Sequence, residues 1–180
     1  MADVTLPDRV QTARLILRPI EPADCGPIFD TYAQDAEVTR YLSWRQHRTR
    51  EETAEYIARC IATPPSVARI YVLTGREDGL VRGAFDIRVP APHRLEFGYV
   101  LGRSWWGRGL MTEALSAVVY WALRQEGLFR VGSVCDVDNF GSARVMEKAG
   151  MVREGLLRRW MMHPNVSDEP RDCFSYAIVR

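Results

Sequence analysis

Apolar and polar positions alternate along "ARLILRPI" (residues 13–20). Leu15 and Leu17 stand against Arg14, Ile16 and Arg18, a two-residue period that predicts a strand with one buried face. The stretch "EPADCGPIFDTYAQD" then carries a helix-entry signal, Pro22 followed by the acidic Asp24 in the first turn. A second helix is predicted over "TREETAEYIARCIA", where Thr49 and Glu52 have capping-box spacing. The β-rich segments "RIYVLTG" and "LVRGAFDIRV" flank Glu77-Asp78-Gly79 and read as a hairpin. "HRLEFGYVL" continues the strands, and Gly98 inside it suggests a bulge or a close backbone contact. In "LMTEALSAVVYWALRQEG", Leu110, Ala114, Leu115, Val118 and Ala122 recur at three- and four-residue steps, an amphipathic helix that Gly127 can close. "FRVGSVCDV" reads as a strand, "SARVMEKAG" as a short helix ended by Gly150, and "MVREGLLRRWMM" and "DCFSYAIV" as the last two strands. The order β-α-α-β-β-β-α-β-α-β-β predicts a mixed α/β fold.

Composition narrows this little. The chain has 180 residues, which suits one domain over 1–180, and its hydrophobic fraction of 47% is ordinary for a globular protein. A net charge of +1 gives no global attraction to nucleic acid or an anionic membrane, so an anion site must be local. The apolar run "AVVYWAL" is too short to span a bilayer, and "MADVTLPDRV" lacks the pattern of a secretory signal. Cys25, Cys60, Cys135 and Cys173 are scattered without a C-x-x-C pair, which is the expectation for reduced thiols in a cytoplasmic protein. His47, His93 and His163 also lack ligand spacing; they read as ordinary surface or turn residues, and no metal site is expected.

The segment "RSWWGRGLMTEAL" (residues 103–115) carries the chemistry. It lies between a strand and a helix, and a helix N-terminus offers unpaired N–H groups and partial positive charge to an anion. Gly107 and Gly109 would let backbone N–H groups approach phosphate oxygens, and Arg103 or Arg108 could add charge. The P-loop G-K-[ST] and the Rossmann G-x-G-x-x-G are both absent. A tight strand-to-helix turn and a pyrophosphate loop of the acyl-CoA type remain open on these residues alone.

Three segments, in order along nearly the whole chain, carry a family resemblance. "LEFGYVLGRSWWGRGLMTEAL" resembles the coenzyme signature of the GNAT superfamily of N-acetyltransferases, whose loop reads Q/R-x-x-G-x-G/A. Here Ser104 falls at the Q/R position, and Gly107 and Gly109 at the glycines. "DVDNFGSARVMEKAGMVREGLLR" is similar to the N-x-x-S-x-x-x-x-E-K-x-G-F pattern, and "TARLILRPIEPAD" to the start of the ribosomal-protein (RimJ/RimL) branch. The resemblance implies a GNAT-like mixed sheet, splayed between the fourth and fifth predicted strands, with flanking helices. It implies acetyl-CoA as cosubstrate. The backbone of Tyr99, Val100 and Leu101 would pair with the pantetheine arm as a further strand, and the N–H groups of Trp106, Gly107, Arg108, Gly109 and Leu110 would hold the pyrophosphate. A bulge at Gly98 would splay the strands. Asn139 would bind the coenzyme arm, and Ser142, whose structural alternative is a helix N-cap, would protonate the departing thiolate.

Two departures matter. Met146 stands where many members carry the tyrosine that protonates the thiolate, and Met161 where the RimL type has a glutamate. Glu96 is the candidate base on the bulged strand, directly or through water; its structural alternative is a strand residue paired with Arg94 or Arg82. Tyr41, Trp44 and Arg45 fall where the branch lines its acceptor pocket. The acceptor reads as a protein N-terminal amine, or as a small amine such as a polyamine or antibiotic, for which Asp168, Glu169 and Asp172 are the nearest approach to an acidic cluster. Loss of the tyrosine and glutamate motivates a different class, a non-catalytic acyl-CoA sensor. A monomer or a homodimer fits, with "RRWMM" a possible interface or substrate-facing strand.

Overall fold

The computed structural model describes residues 5–180. One eight-stranded sheet runs through it in the order β1-β2-β3-β4-β5-β6-β8-β7. The strands are β1 (Val10–Gln11), β2 (Leu15–Pro19), β3 (Ala68–Gly75), β4 (Val81–Ala91), β5 (Arg94–Leu101), β6 (Arg130–Asp136), β7 (Val152–Met161) and β8 (Arg171–Val179). The short β1 carries no sequence signal, so the strands expected to splay are the fifth and sixth. Leu15 and Leu17 are fully buried, as the alternation required. The β3–β4 turn closes on Gly79 at φ 67°, with Asp78 Oδ1 accepting from the Leu80 N–H at 3.0 Å.

The predicted first helix is broken. Pro22–Asp24 is a 3-10 turn, α1 (Cys25–Ile28) follows, and Phe29–Ala33 forms a π turn before α2 (Ala36–Thr39). Pro27 sits inside α1 and supplies no N–H to a continuous ladder. Asp35 caps α2, its Oδ1 accepting from Glu37 at 2.9 Å. The second predicted helix, α3 (Arg50–Ala62), starts as its spacing indicated, with Thr49 Oγ1 accepting from the Glu52 N–H at 3.3 Å.

Helix α4 (Leu110–Ala122) buries Leu110, Met111, Ala114, Leu115, Val118, Val119 and Ala122. It ends before the expected Gly127. Leu123 to Gln125 tighten into a turn, and Gln125 Nε2 donates to the Trp121 carbonyl at 3.0 Å. Helix α5 (Phe140–Lys148) stops at Gly150, φ 86°.

The sheet is covered on both faces. Leu95 and Phe97 of β5, with Phe85 and Ile87 of β4, join α4 in the larger core. Their alternates Ala84 and Val100 join Ile70 and Val72 of β3 and Ile57 of α3 in a second cluster. All neighbouring strands are antiparallel except β5 and β6, which pair in parallel only at Arg94↔Arg130, Leu95↔Val131 and Glu96↔Gly132. Beyond Glu96 each strand stays with its other neighbour, β5 with β4 to Gly83↔Leu101 and β6 with β8 to Asp136↔Cys173. The gap follows from that divided pairing. The bulge expected at Gly98 is not there: Gly98 pairs in register with Asp86, and the β4–β5 irregularity lies between Arg88 and Ala91.

Candidate functional site

The gap between β5 and β6 leaves main-chain groups without a strand partner. At its closed end Ser133 Oγ donates to the Phe97 carbonyl at 2.7 Å. Main-chain groups alternate sides along a strand, so the N–H and C=O of Tyr99 and Leu101 turn to the same edge. Trp106 bends back there, its Nε1–H donating to the Leu101 carbonyl at 2.6 Å. Val100 instead pairs with Ala84 of β4, so its main chain is committed to the sheet.

The two tryptophans of "RSWWGRG" have separate tasks. Trp105 packs on the larger core with two guanidinium groups over its ring, Arg82 at 4.1 Å and Arg108 at 5.1 Å. Trp106 caps the end of β5. Gly107 and Gly109 then take left-handed conformations, φ 72° and 73°. Gly109 caps α4 without a side chain, and the first-turn N–H groups of α4 point into the space ahead of the helix. Arg14 holds the loop from outside: Nη1 donates to the Arg108 carbonyl at 3.0 Å, and Nε pairs with Glu113 Oε2 at 2.6 Å. Thr12 Oγ1 also donates to Glu113, at 2.6 Å. Burial works to raise the Glu113 carboxyl, but the bonds from Thr12 and Arg14 outweigh it and hold it below the ordinary range.

A cavity of about 610 Å³ lies against this loop and the open edge of β5. Of the residues expected at a coenzyme site it is lined by Tyr99, Val100, Leu101, Trp106, Gly107, Gly109, Leu110 and Asn139. Ser142 and Tyr41 line it too, whereas Arg108 does not. Arg40, Arg144 and Lys148 add positive charge to its wall. Two left-handed glycines, a helix N-terminus and nearby cations fit a pyrophosphate, and the free β5 edge fits an amide-bearing arm.

Ser142 is not the helix cap. Asn139 is: its Oδ1 accepts from the Ser142 N–H at 3.1 Å. The Ser142 hydroxyl instead meets the Tyr99 phenol, 2.8 Å from Oγ, and Tyr99 also donates to the Ser142 carbonyl at 3.2 Å. Burial pushes the Tyr99 hydroxyl well above its ordinary range, and the bond to Ser142 offsets this only in part. The phenol therefore keeps its proton. The sequence assigns Tyr99 a role through its backbone only; its period-2 position facing the helices is the available signal. Met146 is fully buried in the core.

The turn that presents Asn139 is held by a residue the sequence analysis did not single out. Asp136, 1% exposed, accepts from Arg171 Nε at 2.6 Å and from the Asp138 N–H at 2.9 Å. Beneath it His163 Nε2 lies 3.7 Å from Asp136 Oδ2. His163 and His47 are buried, contrary to the surface reading, and burial holds both below the usual histidine value. His47 accepts or donates at Thr53 Oγ1, 2.9 Å away, and packs on Trp44 at 4.8 Å between ring centres.

The acceptor-pocket residues divide. Tyr41 faces the coenzyme cavity. Trp44 joins the second cluster with Tyr56, their ring centres 5.8 Å apart. Arg45 is exposed and donates to the Pro164 carbonyl at 3.2 Å. Asn165 ties this segment to the β7–β8 loop, donating to the carbonyls of Thr39 and Trp44 at 2.8 Å each. Glu96 lies outside the coenzyme cavity, in a separate cavity of about 240 Å³ with Arg88, Arg94, Arg130 and Trp160. Its expected partner is Arg94, at 3.9 Å. Among the described residues the four cysteines are free, no cluster of metal-ligating side chains forms, and no helix is long and apolar enough to cross a membrane.

The sequence pattern of the acetyltransferase (GNAT) domain family matches residues 14–152. An uncharacterized N-acetyltransferase of Bacillus subtilis, YoaA, is 31% identical over 174 residues, 95% of this chain and 96% of the relative. The [ribosomal protein uS5]-alanine N-acetyltransferase of Escherichia coli is 29% identical over 83 residues, 46% of this chain and 39% of its own length. In fold, a RimL ribosomal L7/L12 alpha-N-protein acetyltransferase solved in complex with coenzyme A superposes with a TM-score of 0.82 at 20% identity, covering 95% of this chain and 97% of that one.

Proposed function

Because the chain belongs to the GNAT acetyltransferase family and is an acetyl-CoA-dependent N-acetyltransferase, we propose that it acetylates a protein N-terminal amine by direct attack on the thioester. The pyrophosphate rests on the N–H groups from Trp106 to Leu110, and the pantetheine arm pairs with the open edge of β5 at Tyr99. Asn139 offers its amide N–H groups to the arm while its oxygen holds α5. The amine lone pair forms the C–N bond at the thioester carbonyl carbon, and oriented main-chain N–H groups stabilise the oxyanion. The C–S bond then breaks, and the Tyr99–Ser142 hydroxyl pair delivers a proton to sulfur. Two carboxylates, Glu96 and Asp86, stand on the opposite face of the β4–β5 pair, and one carboxylate there takes the ammonium proton.

One observation carries the choice of acceptor. The acids nearest to a polycation site do not converge on a buried pocket: Asp168 and Glu169 are exposed, beside Arg45 at 3.8 Å and Arg159 at 2.5 Å, and Asp172 accepts from the Arg159 N–H at 2.8 Å. An uncommitted acidic pocket, as a polyamine site requires, is not formed by them. The ribosomal-protein acceptors named for the two relatives above support the same reading. The test is CoA release with short peptides differing in their first residues, run beside polyamines and aminoglycosides. A kcat/KM at least tenfold higher for a peptide supports the proposal. A preference for a small amine overturns it, and binding of acetyl-CoA without turnover of any amine would favour a sensor.

A further inference from the structure

Asp86 is a carboxylate set in an apolar layer. Its neighbours along β4, Phe85 and Ile87, enter the larger core, so Asp86 turns to the other face with Ala84. That face is built from Ile70, Ala84 and Val100, with Tyr56 and Cys60 of α3 packed on it. Across the strand pair Asp86 is in register with Gly98, and a Cβ at Gly98 would lie 2.3 Å from Asp86 Oδ1. The glycine therefore does not bend the strand; it makes room for this carboxylate to lie over β5.

The position matters because β5 and β6 part after Glu96. Glu96 is level with the last parallel pair, in the closed part of the sheet, whereas Gly98 lies past the parting point, next to Tyr99. Glu96 faces three cations, with Arg94 at 3.9 Å, Arg88 opposite it on β4 and Arg130 in the same cavity, whereas Asp86 has the single ion-pair partner Arg88, at 3.0 Å. The Asp86 side chain keeps 31% of its exposure.

We infer that Asp86, and not Glu96, is the carboxylate that receives the proton of the acceptor ammonium. Resting on the direct-attack reading but not on the identity of the acceptor, the step balances as follows. The ammonium gives one proton to the Asp86 carboxylate, and the neutral amine forms the C–N bond. On collapse the C–S bond breaks. The nitrogen loses its second proton to solvent water, the Tyr99–Ser142 pair gives one proton to sulfur and takes one back from solvent, and Asp86 returns its own to solvent, so that one net proton is released. Burial pushes the Asp86 carboxyl above the ordinary range, which suits a base; the Arg88 guanidinium, 3.0 Å away, and the N–H groups of Asp86 and Gly98 oppose the shift without cancelling it. The other titratable groups facing it are Tyr56 and Cys60 from α3 and Glu96 diagonally on β5.

The test compares Asp86→Asn, Glu96→Gln and Gly98→Ala, using the best amine found for the wild type. Asp86→Asn should lower kcat/KM by about 10²–10³-fold at neutral pH and remove the acid limb of the pH profile, while acetyl-CoA still raises Tm as in wild type. Gly98→Ala, which displaces the carboxylate without removing it, should lose rate in the same direction, and Glu96→Gln should stay within about threefold. Without any amine, carbon-13 NMR of aspartate-labelled protein should show one carboxyl titrating above the ordinary range, absent in Asp86→Asn. Asp86→Asn within threefold of wild type, loss of the acid limb in Glu96→Gln, or an ordinary titration of Asp86 each overturns the proposal. The NMR arm stands even if no amine turns over, and peptide preference does not enter it.

Discussion

The Tyr99 phenol and the Ser142 hydroxyl, brought together from β5 and α5, lie 2.8 Å apart at the wall of the coenzyme cavity. Met146, on the same helix as Ser142, carries no hydroxyl and is buried in the core. If the pair works as one relay to sulfur, its members are not additive. Tyr99→Phe and Ser142→Ala should each lower kcat by about 10²-fold with little change in the KM for acetyl-CoA. The double variant should then cost no more than the worse single one. Purely structural roles would give instead a stability loss of about 1 kcal/mol each, with kcat unchanged.

Acid should unfold the protein in two stages. His47 and His163 are held below their ordinary value by burial, so the stability of their neutral form falls away as pH drops below about 6.5. For Asp136 burial works upward, but the Arg171 and Asp138 bonds outweigh it and hold the carboxyl low. Its contribution is therefore present above the unfolded value of about 3.9 and lost as pH falls through the lower folded value. Asp136→Asn should cost about 3 kcal/mol at pH 7, because Arg171 loses its buried partner, and should flatten the second stage; it should also deepen the first, because the Asp136 charge holds the His163 value up. Urea melts of both proteins from pH 3 to pH 8 check this.

Arg14 reaches the coenzyme loop only through the Arg108 carbonyl and Glu113, on the outside of the turn. Half its side chain is exposed, so its ion pair should contribute little, about 0.5 kcal/mol. Its effect should appear in the loop. Arg14→Ala should raise the Kd for CoA severalfold with a Tm change of a few degrees at most in the free protein, by calorimetric titration and thermal melts. An unchanged Kd would make Arg14 a surface residue.

Much of this was legible in the sequence because it is local. Leu15 and Leu17 fix the buried face of β2 by alternation, and Gly107, Gly109 and the amphipathic run after them fix the loop and α4. What escaped depends on residues distant in sequence. Gly98 reads as a bulge until Asp86, from the neighbouring strand, is seen to occupy its missing Cβ. Tyr99 reads as a backbone contact until α5 carries Ser142 to it. Val10–Gln11 has no pattern of its own and is a strand only because it pairs with Ile16 and Leu17. His163 looks like a turn histidine until β6 and β8 close over it, with Cys173 Sγ 3.9 Å from its ring.

Gly109 separates ligand binding from backbone strain. Its φ of 73° suits glycine, and the nearest atom to an added Cβ, Arg14 Nη2, is 3.7 Å away, so space on the protein side is not the constraint. Gly109→Val should cost about 1–2 kcal/mol of stability from the left-handed backbone alone. A ligand at a hundredfold excess over Kd stabilises the native state by about 2.7 kcal/mol. Most of that shift should vanish in Gly109→Val, because the branched side chain occupies the approach of the phosphate oxygens. Gly79→Val is the control: φ is 67° at the β3–β4 turn, with nothing within 4 Å of an added Cβ. It should lose similar stability yet keep the full thermal shift with CoA. Equal shifts in the two variants would show that the loop does not hold the pyrophosphate, whatever the family pattern suggests.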